Sequence, residues 1–280
     1  MVTRPCRSAL YIPGSKPRAL DKARGLPADA ILFDLEDAVA PDEKPAARDT
    51  LAAELRAGGY GARLRIVRIN ALETPWGAED AAMAAATPCD AVLLPKVGSP
   101  ADLDAAAALL PGIALWAMME TPRGIQNAPA IAAHPALAGM VMGTNDLAKD
   151  LGSRTRAALM TALQICLLAA RAERRVILDG VYNAFRDPEG LAAECAAGRD
   201  MGFDGKTLIH PDQIAAANAA FAPSPEEVDL ARRQIAAWQA AQAQGQGVAV
   251  VDGRIVENLH IVTARATLAR AEAITALEAI

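Results

Sequence analysis

Aromatic residues are scarce in this chain. Three Trp, three Tyr and four Phe make up 4% of its 280 residues. The apolar 52% rests heavily on alanine, and alanine-rich stretches favour helix. No apolar run approaches the roughly 18 residues of a membrane span, so a membrane partner is not expected. No basic cluster stands out and the net charge is −5, which argues against nucleic acid. The opening Met1-Val2-Thr3-Arg4-Pro5-Cys6 leads almost directly into a strand and carries no signal-peptide apolar region. Four cysteines, Cys6, Cys89, Cys166 and Cys195, are scattered without a C-x-x-C pair, as suits reduced thiols in a cytoplasmic protein. A nucleophile elbow, a P-loop and a glycine-rich dinucleotide loop after the first strand are all missing.

What is present is a rhythm. Short apolar runs bounded by turn residues read as buried strands: Ser8–Ile12, Ala30–Phe33, Leu64–Asn70, Ala91–Leu94, Ile113–Met119, Met140–Met142, Arg175–Leu178 and Gly205–Ile209. Helical stretches separate them, at Lys16–Arg24 (with Ser15 as its cap), Lys44–Arg56, Trp76–Ala86, Ala101–Leu110, Ile125–Ala133, Arg154–Glu173 and Pro188–Arg199. The strands are apolar throughout, as parallel strands covered on both faces should be. Eight βα units in about 210 residues predict an α/β fold, a TIM (β/α)8 barrel spanning residues 1–220. A doubly wound sheet is the alternative. Residues 221–280 break the pattern and predict a C-terminal extension: a helix over 225–243, a small hairpin turning at Asp252-Gly253, and a last helix from Leu259 to the end.

In such a barrel the active site lies where strands end. Asp34, Glu36, Asp37, Arg68, Asn70, Lys96, Glu120, Asp146, Asp179 and His210 all fall there. Each alone reads as a helix cap or loop charge; so many at one rim is harder to explain that way. Glu120 and Asp146, with no Cys or His beside them, suit a hard cation such as Mg²⁺ or Mn²⁺. The competing reading makes Asp146 a helix cap and pairs Glu120 with Arg123. Arg68, pointing inward, would need an anionic partner: a substrate carboxylate, a developing oxyanion, or Glu36 or Asp37. Glu36 and Asp37 are candidates for orienting Arg68 or metal waters, against the plainer reading of a solvated loop. His210 could exchange protons, although a lone His before Pro is more often structural.

The segments Tyr11-Ile12-Pro13-Gly14, Asp34-Leu35-Glu36-Asp37-Ala38-Val39, Arg68-Ile69-Asn70, Leu94-Pro95-Lys96, Glu120-Thr121-Pro122-Arg123-Gly124, Gly143-Thr144-Asn145-Asp146-Leu147, Gly205-Lys206 and Ile209-His210-Pro211 occur in this order. The set resembles the citrate lyase beta subunit-like CoA-ester lyases of the HpcH/HpaI aldolase superfamily. The resemblance implies a trimer or dimer of trimers that cleaves or forms 3-hydroxyacyl-CoA esters such as malyl-, citramalyl- or citryl-CoA. It also implies Mg²⁺ on Glu120 and Asp146, substrate contacts from Arg68 and Glu120, and a CoA portion held by Tyr11, Arg18, Lys22, Ile209 and His210. The family's C-terminal lid acid, which reaches a neighbouring subunit's site, corresponds to Glu257 where Asp is usual. The expected reaction is a Claisen-type cleavage with Glu257 moving the proton. Aldol cleavage of free 2-oxo acids, thioester hydrolysis and a non-catalytic subunit role are the alternatives.

Overall fold

A computed structural model describes residues 4–279. Met1–Thr3 and Ile280 lie outside them, and with them part of the expectations for the chain's opening and for the end of the last helix. Eight parallel strands close a barrel: β1 (Ser8–Pro13), β2 (Ala30–Asp34), β3 (Leu64–Arg68), β4 (Ala91–Leu94), β5 (Ala114–Met119), β6 (Leu137–Met142), β7 (Val176–Asp179) and β8 (Gly205–Leu208). Each pairs with its sequence neighbour, and Ser8 opposite Lys206 closes the ring. The helices between them are α1 (Pro17–Ala23), α2 (Lys44–Ala57), α3 (Gly77–Ala85), α4 (Pro100–Leu109), α5 (Pro122–Gln126), α6 (Ala128–Ala132), α7 (Thr144–Leu151), α8 (Met160–Ala172), α9 (Pro188–Met201) and α10 (Ile214–Ala220). The chain is thus the TIM barrel that the strand rhythm predicts.

Strand parity sorts the side chains. Successive residues of a strand face opposite sides. Ala9, Ala30, Leu32, Ile66, Leu93, Trp116, Met118, Val141 and Leu178 fill the barrel interior. Their neighbours Leu10, Ile31, Phe33, Val67, Val92, Leu115 and Ile177 pack outward under the helices. With few aromatics available, one large ring plugs the interior. Trp116 lies against Gly139 of β6, where a Cβ would come within 2.6 Å of the indole.

The N-terminal rim of the barrel is stitched by one device used three times. An aspartate just before a strand accepts the backbone N–H of an earlier strand's first turn and pairs with an arginine. Asp29 takes the Arg7 N–H at 2.8 Å and the Nε–Nη2 edge of its guanidinium. Asp90 does the same for Arg65. Asp204 accepts from the Ile177 N–H at 2.8 Å and pairs with Arg171 at 2.9 Å.

Several local expectations need correction. Ser15 does not cap α1; Lys16 holds the cap position without a side-chain bond, Pro17 starts the helix, and the Ser15 hydroxyl is buried without a partner. The expected single helix at 125–133 is two short ones that break at Asn127, whose amide donates to the Gly98 carbonyl. The long helix begins only at Met160, after a 3₁₀ turn at Arg156–Leu159. An extra helix, α7, follows β6 directly and ends at Gly152 with φ 62°.

Residues 222–279 with Arg4–Pro5 form a second compact unit. Helix α11 (Pro225–Ala243) starts at a Ser224 cap that accepts from the Glu227 N–H at 3.2 Å. The hairpin β9 (Ala249–Val251) and β10 (Arg254–Val256) turns at Asp252 and Gly253, with φ 49° and 72°. Two consecutive positive φ angles mark the turn that matches strand twist. Arg233 of α11 pins that turn through Asp252 at 2.7 Å. Helix α12 (Asn258–Glu278) completes the unit around Ala241, Ala249, Val256 and Ile261.

Candidate active site

At the C-terminal ends of the strands a cavity of about 310 Å³ opens, bordered by Tyr11, Asp34, Asp37, Arg68, Met118, Glu120, Asp146, Thr207 and Ile209 among others. Parity explains its chemistry. Tyr11, Asp34, Arg68 and Thr207 continue the inward-facing series of β1, β2, β3 and β8, and Glu120 follows Trp116 and Met118 as the next inward position after β5.

Arg68 is buried and held on several sides. Asp34, its register partner on the neighbouring strand, binds Nε at 2.7 Å and Nη2 at 2.6 Å. Glu36 pairs with Nη1 at 2.8 Å, and Asp37 stands 3.5 Å away. The guanidinium also covers the Tyr11 ring at 5.0 Å from its centre. Burial alone would weaken the Arg68 charge, but Asp34, Tyr11 and Glu36 together outweigh it and lift the pKa well above the usual value. Burial raises Tyr11 as well, so its phenol stays protonated, donating to the Met118 sulfur at 3.5 Å. Asp34 is fully engaged, since its oxygens also accept the Glu36 and Ala38 N–H groups.

Glu120 is 2% exposed. Burial, then the charge of Glu36, push its pKa up to about 7, against the Lys96 N–H that donates to Oε1 at 2.8 Å. Its other oxygen lies where a Cβ on residue 143 would be, at 2.5 Å, so glycine at that position is what lets the carboxylate in. Asp146 faces the same cavity from the first turn of α7. The Lys96 ammonium hydrogen-bonds to Glu36 and stands 3.8 Å from Asp146. Burial raises Glu36, against Arg68 and Lys96.

Five carboxylates (Asp34, Glu36, Asp37, Glu120 and Asp146) thus stand around the cavity against three cations, Arg68, Lys96 and Lys44. Lys44 reaches in from behind to the Leu35 and Glu36 carbonyls at 2.9 and 2.7 Å. An excess of two negative charges, with oxygen donors only, fits a divalent hard cation. Among the described residues no group of three or more His, Cys, Asp or Glu converges on one point. A site with two carboxylates and waters is consistent with that, since Mg²⁺ usually keeps several waters.

Other expectations fare differently. Asp146 is not at a strand end but inside α7, and Glu120 does not pair with Arg123. Asp179 is not part of the rim. Parity turns it outward, where it is fully buried with Lys206 at 3.0 Å and Arg156 at 2.8 Å, and Glu194 completes a closed charge cluster behind the barrel. Ile209 borders the cavity and is 41% exposed. His210 serves as a cap, its Nδ1 accepting from the Asp212 N–H at 3.3 Å while its ring stacks on Phe185 at 4.9 Å. Tyr11 borders the cavity, whereas Arg18 and Lys22 are exposed on α1, one turn apart on one face. Glu257 belongs to the second unit, exposed at the N-cap of α12, its N–H donating to His260 at 3.0 Å. Unforeseen were Asp34 as the anchor of Arg68 and Lys96 as a contact of both Glu120 and Asp146. A register argument could have found the first, because Asp34 and Arg68 end adjacent strands at the same level.

Residues 7–211 match the model of the HpcH/HpaI aldolase/citrate lyase family. A (3S)-malyl-CoA thioesterase of Cereibacter sphaeroides is 65% identical over 278 residues, covering 98% of each chain. The citrate lyase subunit beta of Escherichia coli is 36% identical over 285 residues, covering 96% of this chain and 94% of its own. Among solved structures, the CitE protein of Mycobacterium tuberculosis in complex with magnesium, acetoacetate and coenzyme A superposes with a TM-score of 0.81 at 32% identity, covering 97% of this chain and 100% of that one.

Proposed function

Since the chain belongs to the HpcH/HpaI aldolase/citrate lyase family, we propose that it is a Mg²⁺-dependent enzyme hydrolysing the thioester of a short 3-hydroxyacyl-CoA with a free carboxylate, of the (3S)-malyl type. The observation that carries this reading is the 65% identity, end to end, with a protein of that named activity. The cavity supports it with a two-carboxylate oxygen site beside a buried arginine. It corrects the emphasis of the motif reading, in which carbon–carbon cleavage came first and hydrolysis was an alternative.

Glu120 and Asp146 would hold the ion. Bound there, Mg²⁺ would supply the positive charge against which the substrate's carboxylate and hydroxyl are fixed and polarised. Arg68, locked along one edge by Asp34, is pre-oriented and offers its remaining N–H toward the cavity to the carbonyl oxygen as negative charge develops on it. Water adds to the thioester carbon as its proton passes to a carboxylate, the carbon–sulfur bond breaks, and the carboxylate returns the proton to sulfur, so that CoA leaves as the thiol. We assign that proton transfer to Glu257, and to Arg18, Lys22, Tyr11, Ile209 and His210 the holding of the CoA portion. On this reading Glu36 and Asp37 orient Arg68. We further propose a cytoplasmic homo-oligomer, a trimer or dimer of trimers, in which Glu257 serves a neighbouring subunit; light scattering tests the assembly. Among the described residues no helix is long and apolar enough to cross a membrane.

The competing reading, a carbon–carbon lyase, is favoured by the 36% identity to a citrate lyase subunit and by the same residue set. One incubation decides. With (3S)-malyl-CoA and Mg²⁺, hydrolysis yields free CoA and malate, whereas cleavage yields acetyl-CoA and glyoxylate. Acetyl-CoA as the main product would overturn the proposal, as would full turnover in EDTA.

A further inference from the structure

Lys96 joins both proposed metal ligands, and it does so from a backbone conformation that side chains avoid. It follows β4 with φ 53°, in the left-handed region. That conformation accompanies two contacts of one residue. The backbone N–H donates to Glu120, and the ammonium lies on Glu36 and 3.8 Å from Asp146. Arg68, the cation that borders the active-site cavity, is 8% exposed and bound on two edges, so it has no freedom to leave. The Lys96 side chain is 42% exposed. It borders a neighbouring cavity of about 390 Å³, whose wall carries the carboxylates of Glu73 and Asp102. The ammonium therefore has somewhere to go.

We propose that Lys96 is a tethered counter-ion. Without a divalent ion its ammonium neutralises Glu36 and Asp146. When the ion enters, repulsion between like charges drives the ammonium toward the neighbouring cavity, while the backbone N–H keeps Glu120 in place. Lys96 thereby stabilises the empty site and weakens metal binding, which makes occupancy reversible. The inference rests on the assignment of Glu120 and Asp146 as ligands.

The test is equilibrium binding of Mn²⁺ to the full chain, read by the paramagnetic resonance of the free ion. Lys96→Gln, which keeps the N–H and removes the charge, is expected to bind roughly tenfold more tightly than the natural protein, the scale of one unit charge a few ångströms away at a partly solvated site. Lys96→Arg is expected to stay within about threefold. The rise in Tm on adding Mn²⁺ should be larger in Lys96→Gln, because the metal-free form has lost its neutralising charge. Lys96→Asn, suited to left-handed backbone, gives the same readout should the glutamine variant misfold. Equal or weaker binding in the neutral variants overturns the proposal. Glu120→Gln and Asp146→Asn in the same titration keep the two questions apart. If they abolish binding while Lys96→Gln leaves it unchanged, the ligand assignment stands and the counter-ion role falls. If the natural protein binds no Mn²⁺, both fall.

Discussion

The two rims of the barrel use the same residue types for different ends. At the N-terminal rim each aspartate meets its own arginine, as Asp29 does Arg7 and Asp90 does Arg65, and a backbone N–H completes each pair. Charge is balanced pair by pair. At the C-terminal rim five carboxylates face three cations, and the pKa of Glu120 is pushed up to about 7 by burial and by Glu36. A buried carboxylate left short of positive charge is costly to a folded chain, several kcal/mol per ion. A site that tolerates this points to a cation supplied from outside. The contrast separates structural ion pairs from a binding site without any appeal to how acidic either rim looks.

Four substitutions or conditions would break or sharpen that contrast. Removing a carboxylate from the upper rim should remove catalysis and spare the fold. Glu120→Gln or Asp146→Asn is expected to lower Mg²⁺-dependent turnover by about a thousandfold or more, with a metal-free Tm unchanged or higher because repulsion is relieved. A parallel loss of circular dichroism would erase the distinction. At the lower rim the outcome should invert. Asp29→Ala strands a buried arginine and is expected to destabilise by about 3–5 kcal/mol in urea, with kcat per folded molecule unchanged; a large drop in kcat would place Asp29 in the site.

The third concerns pH. A cation needs Glu120 as carboxylate, and that group titrates near 7 in the metal-free protein. Above that pH the carboxylate is available. Each unit below it should weaken Mn²⁺ binding by about tenfold, as calorimetry in matched buffers would show. Flat affinity from pH 8 to 5 would contradict it. The smallest effect belongs to the partly exposed lower-rim pair. Asp90→Asn should lower stability by no more than about 1 kcal/mol, since solvent already screens Arg65 and Asp90, each 26% exposed.

Much of this was legible before any coordinates. Strand spacing indicated the barrel, and the turn residues at Gly143-Thr144-Asn145 and Thr121-Pro122 marked where β6 and β5 end, although a helix starts at each. Helix ends were less legible. Pro17 opens α1 without help from Ser15, and α7 is an eight-residue helix hidden in a segment that reads as a loop. Asp179 was misplaced for a different reason. It ends a strand as Asp34 does, and only the parity of the barrel wall decides that one faces the cavity and the other Lys206.

What the residues settle by themselves is local: which segments are strands, which face of each is apolar throughout, and which loops carry acids. Those follow from side-chain chemistry and backbone preference within a few positions. Which acid meets which base does not. Asp34 finds Arg68 because two residues 34 positions apart end adjacent strands at one level, and Glu120 meets Lys96 because β4 and β5 lie side by side in the ring. Burial, and with it the raised pKa of Glu120 and the unbalanced charge of the upper rim, exists only once the barrel has shut out water. Electrostatic energy depends on distance and dielectric, and the tertiary structure sets both.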